Sequence, residues 1–442
     1  MQNLKRWAKN LSLPKRMMCI LITLILVKIG MVMPIPFIDK TYLQNTLSKI
    51  DLGAFSMLTG NAFSQMSFLT LGISPYISAS IIIQLLAIVI PSLEEMMKDG
   101  ESGKQKYKKI TIMVSIALAI IQATAMAIGF GRSGLLSPFS VKTVICTAVC
   151  WSLGAILLII ISLFLDIFNL GSGVSILLFL NIVSSVPQDM IAAFEMFIKG
   201  KSIAKQIVSG TLIAAFLFSM FYACVLMLNT EKRIKISTSR KMSSFGSDNQ
   251  STFPIPFLTC SVMPVIFTSS LMSVPLLLSS FIPKLQTGVF GKIAMCFNQN
   301  NWFKFDNILY SIGAIPYVLL CSFFTFFYLE IGFNPREIAN NLKKSGTNIM
   351  GVRPGKPTED YIRKVSRETA FVGNTCLMAM ILVTSLILNN LGISRIALSG
   401  TSSIIAVSVV KEVSGKISSE LLSQKAVERI RSKSLNLFAV AK

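Results

Sequence analysis

The sequence predicts an all-α membrane protein with ten transmembrane helices. Of its 442 residues, 52% are hydrophobic and only 14% are charged, and the mean hydropathy is +0.66. A soluble domain carries nearer a quarter charged residues. The apolar residues come in runs of about 20, the length that a helix needs to cross a bilayer core of about 30 Å. Only helices or closed barrels satisfy their backbone groups in lipid, and these runs are too long and too uniformly apolar for barrel strands.

Ten apolar runs are long enough, or nearly so, to cross the bilayer. They cover residues 17–36, 73–91, 110–130, 143–165, 173–193, 206–228, 257–282, 307–330, 370–390 and 396–411. They divide into five and five, which predicts an N-terminal half over residues 1–200 and a C-terminal half over residues 201–442.

The distribution of lysine and arginine predicts the topology. The chain has 42 basic and 20 acidic residues, for a net charge of +22. If the N-terminus lies inside, the segments on the inner side hold roughly three times as many basic residues as those on the outer side, as the positive-inside rule requires. Both termini are therefore predicted to be cytoplasmic. So are the loops over about 229–256 and 331–369.

The composition argues against an enzyme. The chain has no histidine, the commonest general base and metal ligand. It has no HExxH or GxSxG motif, and its eight cysteines are dispersed without a metal-binding spacing. The sequence therefore predicts neither catalysis nor a cofactor.

The spans are nearly free of charge. Lys28 is the one clear charge within them, with Asp189 at a span end, so the midplane carboxylates usual in ion-coupled transporters are missing as well.

The segment from 333 to 368 is the most distinctive loop. It carries eight basic residues against four acidic ones between two long apolar runs. Asn334-Pro335 predicts a helix start, Gly346 a helix end, and 352–355 (VRPG) a stiff turn with Arg353 at its tip. So much charge between two spans indicates a loop that stays in water and meets a partner there.

Several motifs, in the same order, resemble those of the SecY family, the channel subunit of the protein-export translocon. They are IPFID at 35–39, LGISPYISASIIIQLL at 71–86, PSLEE at 91–95, DGESGK at 99–104, PVIFTSS at 264–270 and GTS at 400–402. The resemblance implies two inverted-topology halves that close like a clamshell. It also implies that the chain conducts unfolded secretory polypeptides across a bacterial plasma membrane and releases membrane segments laterally.

The resemblance implies a ring of aliphatic side chains that seals the pore. Its members would be Ile77, Ile81, Leu178, Ile266 and Ile405. Bulky aliphatic groups can close around a polypeptide of any sequence and exclude water by dewetting. Ile77 and Ile81 are four residues apart, so one helix face presents both.

A plug is implied over about 51–67 (DLGAFSMLTGNAFSQMS), a segment too polar and too glycine-rich to span. Its residues would be Gly53, Phe55, Gly60, Asn61 and Ser64. The glycines allow bending, and we expect the segment to contribute little apolar burial.

The loops would bind partners. Arg353 stands at the position of the family's functionally central loop arginine, and Arg233 matches a second loop arginine of the family. Lys343, Lys344 and Lys356 add positive charge. Exposed arginine suits bidentate contact with acidic protein or RNA phosphate. The implied partners are the SecA motor ATPase or the ribosome, SecE-like and SecG-like small membrane subunits, signal sequences and nascent polypeptides, and membrane lipids.

Some positions depart from the family pattern. Gly171-Ser172-Gly173 stands where Gly-Asn-Gly is usual, and Leu258 replaces a common Asn. An accessory channel with a restricted clientele is therefore an alternative. A ten-span secondary transporter of small solutes and an insertase or scaffold without a transverse pore are further alternatives. The missing midplane carboxylates and the large basic loops favour a channel over the transporter, and the aliphatic ring favours it over the insertase.

Overall fold

The computed structural model describes most of the chain and is mostly helical. The described residues are 11–35, 38, 59, 62, 65–132, 136, 139–197, 203–238, 252–258, 262–281, 288–304, 308–390 and 400–440. The helices are α1 (Leu13–Val32), α2 (Ser74–Val89), α3 (Pro91–Lys98), α4 (Gly100–Arg132), α5 (Val141–Ile167), α6 (Gly173–Phe197), α7 (Ile203–Asn229), α8 (Met263–Phe281), α9 (Val289–Phe297), α10 (Ala314–Gly332), α11 (Pro335–Lys344), α12 (Lys356–Asn390) and α13 (Gly400–Val440). The strands are β1 (Glu231–Thr238), β2 (Thr252–Pro256) and β3 (Thr347–Ile349).

Five stretches of the described chain are long and apolar enough to cross a membrane. They are Ser102–Arg132, Val141–Ile167, Gly210–Asn229, Leu309–Lys344 and Lys356–Asn390. A sixth arises if α2 and α3, which meet at a bend of 111°, count as one span. Gly173–Pro187 and Met263–Leu276 are shorter apolar helices. The prediction of a helical multi-pass membrane protein is confirmed, whereas the number of ten spans stays a prediction.

The bend between α2 and α3 lies at Ile90 and Pro91. Ile90 has an extended backbone, with φ −103° and ψ 104°. A proline disfavours the helical conformation in the residue before it, and it occupies a helix start easily because its missing N–H is not needed there. The sequence Ile90-Pro91 therefore ends one helix and begins the next.

The chain forms two compact units. One contains the described residues within Met1–Lys49, Ser56–Ser185 and Ala406–Lys442, and the other those within Val186–Ile405. The first division falls inside α6, just before the helix-interior proline Pro187. The second falls inside α13. The predicted halves over 1–200 and 201–442 stay a prediction.

In the first unit, α4 packs against α2, α3 and α5, and α1 packs against α5. One close approach is at Gly154 of α5, where a Cβ atom would lie 2.0 Å from the carbonyl oxygen of Phe68. Only glycine lets the two backbones come this near. The small residue therefore fixes how closely the segment before α2 sits on α5.

We expect Gly154→Ala to lower the free energy of unfolding by about 2 kcal/mol, because the new methyl group must push a backbone carbonyl aside. Gly415→Ala in α13 is the matched control, since no atom lies within 4 Å of its missing Cβ. That variant should be neutral or more stable by about 0.5–1 kcal/mol, through higher helix propensity. Thermal unfolding of both variants checks the prediction; an equal shift in Tm would refute the close approach at Phe68.

In the second unit, α8 packs against α9 and α10, and α12 packs against α7, α10 and α11. Asn374 of α12 bridges to α10, donating to Ser322 Oγ at 2.9 Å and accepting from Thr325 Oγ1 at 3.1 Å. Asn389 donates to the carbonyl oxygens of Gln299 and Trp302. Hydrogen bonds between helices supplement packing where the lipid offers no hydrophobic driving force.

The second unit also contains a three-stranded antiparallel sheet in the order β2-β1-β3. Lys232 lies opposite Ile255, and Ile236 lies opposite Ile349. The sequence analysis did not predict these strands. The signal was present in β1, where Ile234 and Ile236 alternate with polar residues at the period of a strand.

Prolines protect the outer edge of β2. Phe257 N donates to Thr230 O at 3.1 Å, so alternate residues of this segment direct their backbone groups at β1. Pro254 and Pro256 fall on the intervening positions, which point away from β1. Proline has no N–H, so an added strand would find no donor at either position. The sheet is therefore closed to strand addition at this edge.

Candidate functional site

The two predicted partner-binding loops form one structure, here called the platform: β1, β2, β3, α11 and the first turns of α12. It has its own apolar core, made of Ile234, Ile255, Ile349, Ile362 and Val365. Pairing of β1 with β3 joins the loop after α7 to the loop after α10. The platform thus presents residues that are more than 100 positions apart in sequence, such as Arg233 and Arg353, on one compact body.

The helix α11 begins and ends as predicted. Asn334 caps its N-terminus, its side-chain oxygen accepting from Glu337 N at 3.4 Å, and Pro335 occupies the first turn. Gly346 adopts a φ of +64° just past the end, a conformation that favours glycine. Lys343 and Lys344 occupy the last turn and are exposed. Their charges complement the negative end of the helix dipole, which gives both lysines a local structural role as well.

The conformation of the turn at Arg353 is set by its backbone and by a hydrogen bond to the Arg353 carbonyl group. Gly351 and Gly355, on either side, have φ of +83° and +106°. Thr358 Oγ1, in the first turn of α12, donates to the carbonyl oxygen of Arg353 at 2.8 Å. Val352 packs against the platform core, whereas the side chain of Arg353 is exposed. The turn therefore fixes the position of Arg353 without using its guanidinium group.

The basic residues of the platform differ in how far they are neutralised. Arg363 pairs with Glu359, and Arg367 pairs with Glu330 of α10. Arg353 makes no ion pair with any residue that the structure describes, and Lys343, Lys344 and Lys356 make none either. These four exposed cations are therefore available to an acidic partner.

Arg233 lies on the outer face of the sheet. Residues alternate across a strand, so Arg233 and Lys235 lie opposite the face that carries Ile234 and Ile236. The Arg233 side chain is 69% exposed, and its Nε donates to Glu231 Oε1 at 2.9 Å. Glu231 therefore offsets part of the charge of Arg233, whereas no carboxylate in the described part of the chain offsets Arg353.

The five residues predicted to seal a pore are all buried. The exposed fractions are 2% for Ile77, 4% for Ile81, 2% for Leu178 and 5% for both Ile266 and Ile405. The first three belong to the first unit and the last two to the second.

On α2 the burial is one-sided. Ile77 and Ile81 face the protein interior, whereas Ile82 on the same helix is 41% exposed. Every one of these side chains is aliphatic, so composition alone does not separate them. Burial does, and it assigns Ile77 and Ile81 to the interior.

The predicted plug residues Gly53, Phe55, Gly60, Asn61 and Ser64 lie outside the described residues. Some of their neighbours in the same segment are described and are fully buried: Thr59, Ala62, Met66 and Ser67. Phe68 N, just after the segment, donates to Met33 O at the end of α1. The expectation that the segment contributes little apolar burial was wrong for Ala62 and Met66.

Sequence reasoning missed two carboxylates near the ends of spans, Asp166 and Glu412. Asp166 accepts the backbone N–H of Gly173, and Glu412 accepts that of Ser172. Single acidic residues beside apolar runs suggest only a membrane boundary. Their partners are backbone amides, which every residue except proline carries, so the sequence does not indicate which amide each carboxylate binds.

Among the described residues, no group of three or more Cys, Asp or Glu side chains could hold a metal ion.

Comparison with known proteins agrees with this architecture. The SecY family model matches residues 67–414. A "Protein translocase subunit SecY" from Haemophilus influenzae is 31% identical over 443 residues, which cover 97% of this chain and 96% of that protein. The protein of the same name from Bacillus subtilis is 31% identical over 417 residues, covering 91% and 93%.

Two solved structures share the fold. "The structure of a protein conducting channel" superimposes with a TM-score of 0.68 at 18% identity, covering 91% of each chain. "Sec61 in the Canine ribosome-channel complex from the endoplasmic reticulum" gives a TM-score of 0.64 at the same identity and coverage. At this identity the likeness concerns the fold alone. The family match, by contrast, covers most of the chain, and the chain belongs to the SecY family.

Proposed function

We propose that this chain is the central pore-forming subunit of a protein translocase. It conducts unfolded secretory polypeptides across the plasma membrane of a bacterium and releases membrane segments laterally. The observation that carries this proposal is the match to translocase subunits along nearly the whole chain. The chain performs no catalysis of its own and requires no cofactor in this role.

In the proposed arrangement, ten helices form two inverted halves of five with both termini in the cytoplasm. Ile77, Ile81, Leu178, Ile266 and Ile405 form the seal. Their burial supports this role, because a lipid-facing isoleucine would be exposed like Ile82. The segment from 51 to 67 is the plug, and the burial of Thr59 and Ala62 is in keeping with a segment seated in the resting protein.

The platform is the proposed docking site for the driving partner, the SecA motor ATPase or the ribosome. Two features support this role. The platform joins both predicted loops into one body with its own core, and it carries exposed cations that no described carboxylate neutralises. A fixed, unpaired arginine suits bidentate contact with a carboxylate or a phosphate. SecE-like and SecG-like small subunits complete the proposed complex within the membrane.

Crosslinking of a stalled secretory chain tests the proposal. A photoactivatable residue at Ile81 or Ile266 should attach to a polypeptide arrested during translocation. Ile82 is the matched control, because it is adjacent on the same helix and exposed on its outer side. We expect adducts at Ile81 that exceed those at Ile82 by about tenfold. Equal adducts at Ile81 and Ile82, or none at Ile81 and Ile266, would exclude a polypeptide path past these residues.

A further inference from the structure

The part of α13 that follows its apolar run carries a charged stripe: Glu412, Lys416 and Glu420. These residues are spaced by four, so they lie on one side of the helix. Glu412 Oε1 accepts from Lys416 Nζ at 3.3 Å within the helix. The same oxygen accepts the backbone N–H of Ser172 at 3.1 Å. Glu412 therefore connects α13 to the turn between α5 and α6.

This turn is tight and already constrained. Asn169 has a φ of +57°. Asp166, at the end of α5, accepts the N–H of Gly173 at 2.7 Å and pairs with Lys108 of α4. A Cβ atom at Gly171 would lie 3.2 Å from Val413 Cγ2, next to Glu412. Two carboxylates from different helices thus hold the free N–H groups at the start of α6, a helix end that needs acceptors.

The far end of the stripe connects α13 to α1. Arg16 Nη1 pairs with Glu420 Oε1 at 2.9 Å, and Arg16 Nε donates to Leu11 O at 3.0 Å. The two charged side chains are 11% and 26% exposed, so this pair is less solvated than the other ion pairs of the described chain. Screening by salt is weaker for a partly buried pair.

We propose that the charged stripe of α13 is a brace that holds the ends of α1 and α6 in the resting arrangement, with Glu412 as a positioning residue for the seal. The inference rests on the proposed function. Ile405 lies seven residues before Glu412 on α13, and Leu178 lies six residues after Ser172 on α6. The Glu412–Ser172 hydrogen bond therefore joins two helices that each carry a proposed pore residue. Release of that bond loosens the contact between the start of α6 and α13.

The test uses the full chain in its membrane complex and measures two quantities. The first is hydrogen–deuterium exchange of the Ser172–Gly173 amides, which reports the brace itself. The second is ion conductance of the resting complex in a bilayer, which reports the seal. Glu412→Ala should speed amide exchange about fivefold, the effect of losing a helix-capping acceptor, and should raise conductance. Glu412→Gln keeps an acceptor oxygen and should have a smaller effect on both.

Ser414→Ala is the matched control. Ser414 lies on the same turn of α13 but outside the charged stripe, it is exposed, and its hydroxyl donates within the helix to Lys411 O, so exchange and conductance should both stay at the level of the unmodified chain. Unchanged exchange in Glu412→Ala would show that the bond does not protect the turn and would refute the brace. Faster exchange with unchanged conductance would refute the positioning role.

Ile405→Ser, measured alongside, separates this inference from the proposed function. If Ile405→Ser leaks and Glu412→Ala does not, the positioning role of Glu412 fails while the seal stands. If neither leaks, the seal at Ile405 fails and the positioning role of Glu412 fails with it.

The Arg16–Glu420 pair provides a second, independent test of the brace. Glu420→Arg places two like charges together and should increase the conductance of the resting complex. Arg16→Glu combined with Glu420→Arg restores opposite charges and should return conductance close to its original value. Failure of the double reversal to rescue, with normal membrane insertion of the chain, would overturn the role of this end of the stripe.

Discussion

Serine replacement of Ile77, Ile81, Ile266 and Ile405 together is expected to make the resting channel leak ions. A narrow constriction lined by aliphatic groups excludes water by dewetting, and hydroxyl groups would let water occupy it. We expect conductance across a bilayer to rise at least about tenfold. The measurement is single-channel or ensemble current through the purified complex without a translocating chain. Unchanged current would remove these residues from the seal.

Two controls separate a leak from damage to the fold. All four isoleucines are buried, so their truncation also costs packing energy, about 2–5 kcal/mol each. Leucine at the same four positions keeps the volume and apolar character and should preserve the low conductance. Ile82→Ser changes the same helix on its exposed side and should leave the current unaltered. A leak in either control would point to general loosening of the helix packing.

Arg353→Glu is expected to block protein export while the chain still inserts in the membrane. The turn that carries Arg353 is fixed by Gly351, Gly355 and the Thr358 hydroxyl, which contacts the Arg353 carbonyl. The substitution therefore leaves the platform folded. The reversed charge turns an attraction to an acidic or phosphate-bearing partner into a repulsion, costing several kcal/mol if the contact is desolvated. Partner affinity should fall about a hundredfold or more.

Lys343→Glu is the matched control for this variant. Lys343 is an exposed cation of the same platform and has no ion-pair partner among the described residues, but it lies in the last turn of α11, where it also complements the helix dipole. We expect a mild effect on export and a loss of at most about 1 kcal/mol in stability. Affinity for the driving partner and the rate of translocation are measured for both variants. Equal effects would mean that the platform acts as diffuse charge, without a special role for Arg353.

The sequence by itself determined the class of protein and the local elements. Long uncharged runs require helices in lipid, because only internal hydrogen bonds can satisfy the backbone there. Asn334, Pro335 and Gly346 determined where α11 begins and ends, since capping and backbone conformation depend on neighbouring residues. Ordered motifs such as 71–86 already indicate the SecY family.

Only the tertiary structure decided which residues meet. The pairing of β1 with β3 joins Ile236 to Ile349, and no local pattern specifies a contact across more than a hundred residues. Burial separated Ile81 from Ile82, because two adjacent isoleucines are chemically identical and only packing makes one face the interior. The hydrogen bonds of Asp166 and Glu412 to backbone amides could likewise not be predicted from the sequence. Every residue except proline offers the same N–H, so the chain must fold before one particular amide becomes the partner.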